Sequence, residues 1–275
     1  MLAYQFEQFG LEHLRRVGLP EPACAAGQVL LDVRAISLNY RDLLVITGAY
    51  NPKLRLPAVP VSDAAGVVAA VGEGVSGVRV GDRVEAGVVT AWKSGPYRFE
   101  YLRSALGTPG PGMAAERVTL PAEALLPLPS GYGFAEAATL PIAGLTAWDA
   151  LTTVGGVQPG QSVLTLGTGG VAIFTLQLAR ALGARVIITS SSDEKLARAR
   201  ALGADVTINY RTQPDWDRAV LEATGGPGAD VTVETAGAQT LAPVLNATRA
   251  GGRVAVLGAL TGLSASVHLG AVMMK

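Results

Sequence analysis

Apolar and polar positions run in short, strand-length blocks through the first 128 residues. QVLLDVRAISLN (28–39), DAAGVVAAVG (63–72) and GDRVEAGVVT (81–90) are rich in β-branched residues and separated by Gly, Pro and Asp. No segment before about residue 133 carries a strong helical repeat. Short strands with many turns predict a barrel or sandwich for residues 1–128. The proline- and glycine-rich PAEALLPLPSGYG (121–133) reads as a boundary. Beyond it the pattern becomes strand, helix, strand. SVLTLG (162–167), ARVIITS (184–190), ADVTINY (204–210), ADVTVETAG (229–237) and RVAVLGAL (253–260) read as strands. Between them VAIFTLQLARALG (171–183), SSDEKLARARALG (191–203), PDWDRAVLEATGG (214–226) and TLAPVLNATRAGG (240–252) read as helices. Gly183 and Gly203 close the first two, and Ser192 is placed to cap the second. Such alternation predicts a parallel sheet covered on both faces.

Composition changes this picture little. The chain has 275 residues, 49% hydrophobic and 16% charged, with 34 glycines and a formal net charge of zero. That is a globular composition with room for two domains. Neither net charge nor arginine clustering points to nucleic acid. The single cysteine, Cys24, excludes an internal disulfide and any multi-cysteine metal site. The stretch MLAYQFEQFGLEHLRR reads unlike a signal peptide, and no apolar run has membrane-spanning character, so a cytoplasmic protein is expected.

The candidate chemistry starts at VLTLGTGGVAIF (163–174). Gly167, Gly169 and Ala172 fit G-x-G-x-x-G/A, a pattern that alone is weak and also describes a plain tight turn. Its place after a strand and at the opening of a helix points instead to a dinucleotide pyrophosphate. Gly167, Thr168, Gly169, Gly170 and Val171 are the candidate cradle, with helix N–H groups and dipole facing the anion. The next strand chooses the cofactor. NAD sites usually end it with an acid that binds the ribose hydroxyl. Here RVIITSSS ends in Thr189, Ser190 and two further serines, and Asp193 and Glu194 come later, as ordinary helix starters. A hydroxyl-lined end tolerates a 2′-phosphate, which Lys195, Tyr210 or Arg211 could reach. NADPH is therefore expected over NADH. The plainer readings are a solvated helix lysine and a rim aromatic.

Taken together, SLNYRD (37–42), AAGVVAAVGEGVSGVRVGDRV (64–84), AATLPIAGLTAWDAL (137–151) and 167–205 are far more specific than the glycine motif. On these segments the chain resembles the medium-chain dehydrogenase/reductase superfamily, in its zinc-independent, quinone oxidoreductase-like branch. The resemblance covers essentially the whole chain. It implies a GroES-like β-barrel domain over 1–128 that holds substrate and a Rossmann domain over 129–265, with an active site in the cleft between them. It also implies that 266–275 starts a C-terminal return segment whose remainder is missing. On that comparison the sequence reads either as a fragment, which the intact cofactor features favour, or as a degraded relative, with a homodimer expected for the full-length protein and left open for this chain.

In zinc members of the superfamily a Cys, a His and a second Cys hold the metal. The matching positions here are Asn39, Ser62 and Ala143, and 90–112, where a structural zinc lobe would stand, has no cysteine. Thiolate and imidazole are what zinc selects. The resemblance therefore implies metal-free hydride transfer to an electrophile whose own carbonyl delocalises charge, a quinone or an α,β-unsaturated carbonyl. It maps a polar catalytic cluster to Asn39, Asp42 and Tyr50. Asn39 would orient a carbonyl or the nicotinamide ribose, and Tyr50 would donate to an oxyanion; Asp42 also reads as a loop-shaping acid. Thr146 maps to the nicotinamide side, or else bonds back along its helix. Ala236 in ETAG and Gly258 in VLGAL end strands where small residues admit the nicotinamide, or are ordinary strand exits. Alternatives are an NADP-linked aldehyde or alcohol oxidoreductase, and an NADPH-binding protein without turnover serving as a sensor, scaffold or RNA binder. Trp92, Tyr97, Phe99 and Tyr101 in 90–113 read as ring contacts for substrate or as the loop's own small core.

Overall fold

The computed structural model describes residues 1–275, and they divide into two compact units, Met1–Ile142 and Ala143–Lys275. The division falls later than the boundary expected at 128/129. Helix α2 (Phe134–Ala137) explains the shift. Its Ala137, with Ala138, is buried against Ala65, with Ala35 and Leu128 alongside, so this stretch packs with the first unit.

In the first unit, β1 (Leu2–Phe6) and β2 (Leu14–Gly18) form an antiparallel ribbon. β3 (Gln28–Ser37) pairs with β4 (Asp63–Val71) on one side and β6 (Arg117–Pro121) on the other. β5 (Arg83–Ala86) and β7 (Leu125–Pro127) complete a five-stranded antiparallel sheet in the order β6-β3-β4-β5-β7. Alternation along β3 buries Val29 and Leu31, which join Val68, Leu106, Met113, Val118 and Leu120 in one core. β7 lies inside the segment read as a boundary; its prolines hid three paired residues. A helix that the repeat did not reveal, α1 (Tyr40–Ile46), follows β3. It has under two turns, too few for a periodic signal, and Val45 and Ile46 tether it to Phe6.

The second unit holds α3 (Leu145–Asp149) and five parallel strands. They are β8 (Ser162–Thr165), β9 (Arg185–Ser190), β10 (Val206–Asn209), β11 (Ala229–Glu234) and β12 (Thr248–Val256). α4 (Gly170–Ala181), α5 (Asp193–Ala201), α6 (Trp216–Ala223) and α7 (Leu241–Ala247) alternate with them. The order β10-β9-β8-β11-β12 matches the expected doubly wound sheet. Two buried clusters pack on it, one around Leu176, Val186 and Ile188, the other around Leu164, Ile187 and Val244. The last helix is shorter than TLAPVLNATRAGG suggested. Thr248 bonds Thr232 at 2.8 Å and Arg249 pairs with Asp230 at 2.7 Å, so 248–252 runs along β11 as strand.

Leu176 lies on the buried face of α4 and is fully enclosed. Leu176→Ala is expected to lower unfolding stability by about 2–5 kcal/mol, through lost burial and the cavity it leaves. Thermal and denaturant unfolding would measure this, and a change below 1 kcal/mol, roughly the loss at a site that collapses, would contradict the packing.

Candidate functional site

β8 ends at the point where the chain order reverses, beside β11, and the glycine loop follows directly. Gly167 has φ +76°, a left-handed conformation that favours glycine. Its N–H donates to Thr189 Oγ1 at 3.2 Å. Thr168 Oγ1 lies 3.3 Å from Ser190 Oγ. The hydroxyls ending β9 therefore hold the loop in place. Gly169 is the N-cap of α4, with φ −79° and ψ 180°, which any residue adopts. A Cβ there would meet nothing within 4 Å. The first turn of α4 has no side-chain cap. Gly170 is tighter, its absent Cβ 3.4 Å from Ala143. Val171 accepts from the Thr175 hydroxyl at 2.8 Å, and Ala172 is buried.

Around this loop the other candidates take definite positions. Ser190 is buried and its carbonyl accepts from Tyr210 N–H at 3.1 Å. Lys195 is exposed; its backbone N–H donates to the cap Ser192, while its ammonium has no protein partner. Tyr210 is exposed on the rim, and Arg211 N–H donates to Asn209 Oδ1. Asp193, the nearest acid after β9, accepts from Asn209 Nδ2 at 2.7 Å. The Thr146 hydroxyl makes no bond back along its helix, unlike Thr152, which bonds Trp148 O at 2.8 Å.

Glu234, which opens the ETAG strand exit, is not among the residues expected from sequence. It is fully buried and accepts from Ala236 N–H, Gly237 N–H and Thr240 Oγ1 at 2.7–2.8 Å. The carbonyl of Ala236 accepts from both the N–H and hydroxyl of Thr261. Both backbone polar groups of Ala236 are thus engaged within the protein. Gly258 is glycine for a packing reason, because a Cβ would stand 1.9 Å from Thr235 O. An acid closing an apolar strand, in VTVETAG, was the signal available for Glu234.

In the first unit a second polar cluster forms at the start of α1. Asn39 and Asp42 make a capping box, in which Asn39 N–H donates to Asp42 Oδ2 at 2.8 Å. Asn39 Nδ2 donates to Asp63 Oδ2 at 2.9 Å, and Ser62 Oγ donates to Asp42 Oδ1 at 3.3 Å. Asp42, Ser62 and Asp63 are all buried. Arg41, absent from the expected set, donates to Ser62 Oγ, to Leu106 O at 2.9 Å and to Thr108 O at 3.2 Å. Its guanidinium lies 4.8 Å from the centre of the Tyr50 ring. Asn39 and Asp42 are therefore tied into the helix start, whereas the Tyr50 hydroxyl has no bond within the protein.

Burial pushes the Asp63 carboxyl up to about 7, helped by repulsion from Asp42 and opposed by the Asn39 amide. Burial raises Asp42 as well. Burial alone pushes Glu85, opposite Ala65 on β5, up to about 7. Asp63 Oδ1 and Glu85 Oε2 have no hydrogen-bond partner. Aromatic residues of the 90–113 segment pack on one another: Trp92 lies 5.2 Å from Tyr97 and 6.5 Å from Tyr101, while Phe99 is exposed.

The three positions that the resemblance aligns with zinc ligands, Asn39, Ser62 and Ala143, do not fit the metal. The Asn39 amide nitrogen is spent on Asp63, Ser62 Oγ faces a guanidinium, and Ala143 offers a methyl group. No group of three or more His, Cys, Asp or Glu side chains is gathered elsewhere in a metal-holding arrangement. No helix is long and apolar enough to cross a membrane.

Comparison with known proteins agrees with this architecture. Residues 25–130 match the alcohol dehydrogenase GroES-like domain family, and residues 170–275 match the zinc-binding dehydrogenase family. The zinc-type alcohol dehydrogenase-like protein C1773.06c of Schizosaccharomyces pombe is 43% identical, over 84% of this chain and 68% of its own length. The quinone oxidoreductase of Salmonella typhimurium is 33% identical, over 97% of this chain and 75% of its own. A protein of Sinorhizobium meliloti 1021, named as a candidate alcohol dehydrogenase, superposes with a TM-score of 0.93 at 41% identity, over 99% of this chain and 80% of that one. A mycobacterial protein, Rv1454c, solved in complex with NADPH, superposes with a TM-score of 0.83 at 31% identity, over 99% of this chain and 78% of that one. The chain belongs to the medium-chain dehydrogenase/reductase superfamily of oxidoreductases and is quinone oxidoreductase-like.

The buried acids predict how stability depends on pH. Asp63 and Glu85 titrate near 7 in the fold but near about 4 in an unfolded chain. Between those values the folded state holds more protons, so stability falls as pH rises through the window. Thermal midpoints measured from pH 5 to 8 should decline in the wild type and less steeply in Asp63→Asn and Glu85→Gln. Equal slopes in all three proteins would refute the assignment.

Proposed function

We propose that the chain is a metal-free, NADPH-dependent reductase that delivers hydride to a quinone or an α,β-unsaturated carbonyl. Gly169 carries the reading. Neither conformation nor packing asks for glycine there, and its missing side chain faces open space at an uncapped helix start. Close approach of a ligand explains that absence, and a helix N-terminus suits a pyrophosphate. Gly167, Thr168, Gly169, Gly170 and Val171 would hold the diphosphate. Ser190, Lys195 and Tyr210 would face the adenosine ribose, and Thr146, Ala236 and Gly258 the nicotinamide end.

The preference for NADPH rests on charge. β9 ends in hydroxyls, the nearest acid is taken by Asn209, and the Lys195 ammonium is unpaired. A 2′-phosphate fits that surface better than a ribose diol lacking its carboxylate partner. When bound, the reduced nicotinamide supplies hydride chemistry. The protein's part is to orient and to stabilise charge. Tyr50 would donate a hydrogen bond to the oxyanion that develops on the acceptor carbonyl, while Asn39 and Asp42 set the start of α1. A quinone or enone delocalises that charge itself, so one donor suffices without a Lewis acid. The reading places the protein in the cytoplasm with a small electrophile as its substrate. Aldehyde or alcohol oxidoreduction is the second reading, supported by the names of the alcohol dehydrogenase-like relatives.

Fluorescence titration should show NADPH binding more tightly than NADH by roughly tenfold or more, ~1.4 kcal/mol. Gly169→Val should abolish most of that binding while the fold survives; tighter NADH binding would sink the NADPH assignment. Following NADPH absorbance with quinones, enones and aldehydes separates the readings. Turnover confined to quinones and enones is expected, and Tyr50→Phe should lower kcat by roughly a hundredfold, as loss of an oxyanion donor does. Turnover of aldehydes alone would favour the second reading.

A further inference from the structure

Tyr50 is half-exposed, at 46% of its surface, and projects from the turn after α1. Its backbone is anchored, since Tyr50 N–H donates to Leu44 O at 3.0 Å. Its ring has no aromatic neighbour within stacking distance and its hydroxyl has no partner. The guanidinium of Arg41, 4.8 Å from the ring centre, is the group that supports it.

That guanidinium is itself held firmly. Its in-plane donors reach Ser62 Oγ, Leu106 O and Thr108 O, so the planar face is free to lie against the ring. Ser62 is held in turn by its bond to Asp42 Oδ1. The neighbour of Tyr50 is tied to the same loop, because Asn51 Nδ2 donates to Thr108 Oγ1 at 3.1 Å. Arg41 thus joins α1, the 106–108 loop and the Tyr50 turn. A lysine would keep the charge but lose both the fork and the flat face.

We infer that Arg41 is a positioning residue that fixes the Tyr50 ring and thereby places its hydroxyl. This rests on the oxyanion role proposed for Tyr50. Arg41 also staples α1 to the 106–108 loop, and a purely structural staple would act on activity whether or not the hydroxyl were present. A double-mutant cycle distinguishes the two.

The test measures kcat and KM with NADPH and a quinone for the wild type, Arg41→Met, Arg41→Lys, Tyr50→Phe and the double variant Arg41→Met/Tyr50→Phe. Arg41→Met is expected to lower kcat by about tenfold in the wild type but less than about twofold in the Tyr50→Phe background, because coupled residues are non-additive. Arg41→Lys should not restore the rate. Equal losses in both backgrounds would overturn the inference. A second readout needs no turnover. In protein labelled with 3-fluorotyrosine, the fluorine resonance absent from Tyr50→Phe reports the ring. Arg41→Met should shift or broaden that line and leave the other tyrosine lines in place; an unmoved line would overturn the inference. Where Arg41→Met fails to fold, Arg41→Lys carries the same comparison. If the wild type turns nothing over, or Tyr50→Phe matches it, the functional reading falls, and the fluorine spectrum decides the ring's placement by itself.

Discussion

The pairing of β8 on both its edges governs the second unit. Val163, Leu164 and Thr165 bond to β9 on one side, and Val163 to Thr165 also align with Val231 to Val233 of β11 on the other. Buried on both faces and both edges, the strand has no freedom in where it ends. It ends at the reversal of strand order, and the glycine turn must begin there. Thr189 and Ser190 then catch that turn from the neighbouring strand, while Thr235 Oγ1 bonds Leu166 O at 2.7 Å from the other side. The base of the glycine loop is thus hydrogen-bonded from the ends of both neighbouring strands. The buried Glu234 shapes the adjacent exit in the same way, by taking up two backbone N–H groups and a hydroxyl.

The first unit is arranged around a cost. Two carboxyls, Asp63 and Glu85, lie buried with an oxygen each left unpartnered. Burying charge is expensive, and burial shifts both towards the neutral form. Asp63 recovers part of that cost through the Asn39 amide, and Arg41 stands near enough to favour its charge. The same cluster starts α1, braces the 106–108 loop and supports Tyr50. The cluster therefore has a hydrogen-bonded base and one free polar tip, the Tyr50 hydroxyl.

Much of the fold was legible in the pattern of residues. The five parallel strands and their helices follow from hydrophobic blocks punctuated by Gly183, Gly203 and Ser192, since those signals are local. Where local signals were short or mixed, they misled. α1 spans too few residues to show a repeat, β7 is masked by prolines, and 248–252 joins a strand because Thr248 and Arg249 bond to β11. The glycine motif was equally legible. The roles of Arg41, Asp63, Glu85 and Glu234 were not, because a charged residue in a strand or at a helix start looks the same in sequence whether it is solvated or buried.

The superfamily, the strand–helix order, the position of the glycine loop and the lack of zinc-type ligands at Asn39, Ser62 and Ala143 follow from the sequence alone. Each depends on residue identity and spacing along the chain. Tertiary structure decided which glycines packing demands and which it does not. Gly258 has a carbonyl where a Cβ would stand, whereas Gly169 has nothing. It also decided that Asn39 and Asp42 are engaged at the start of α1 while the Tyr50 hydroxyl is free. Those distinctions depend on which atoms from distant parts of the chain come within a few ångströms, and only folding brings them there.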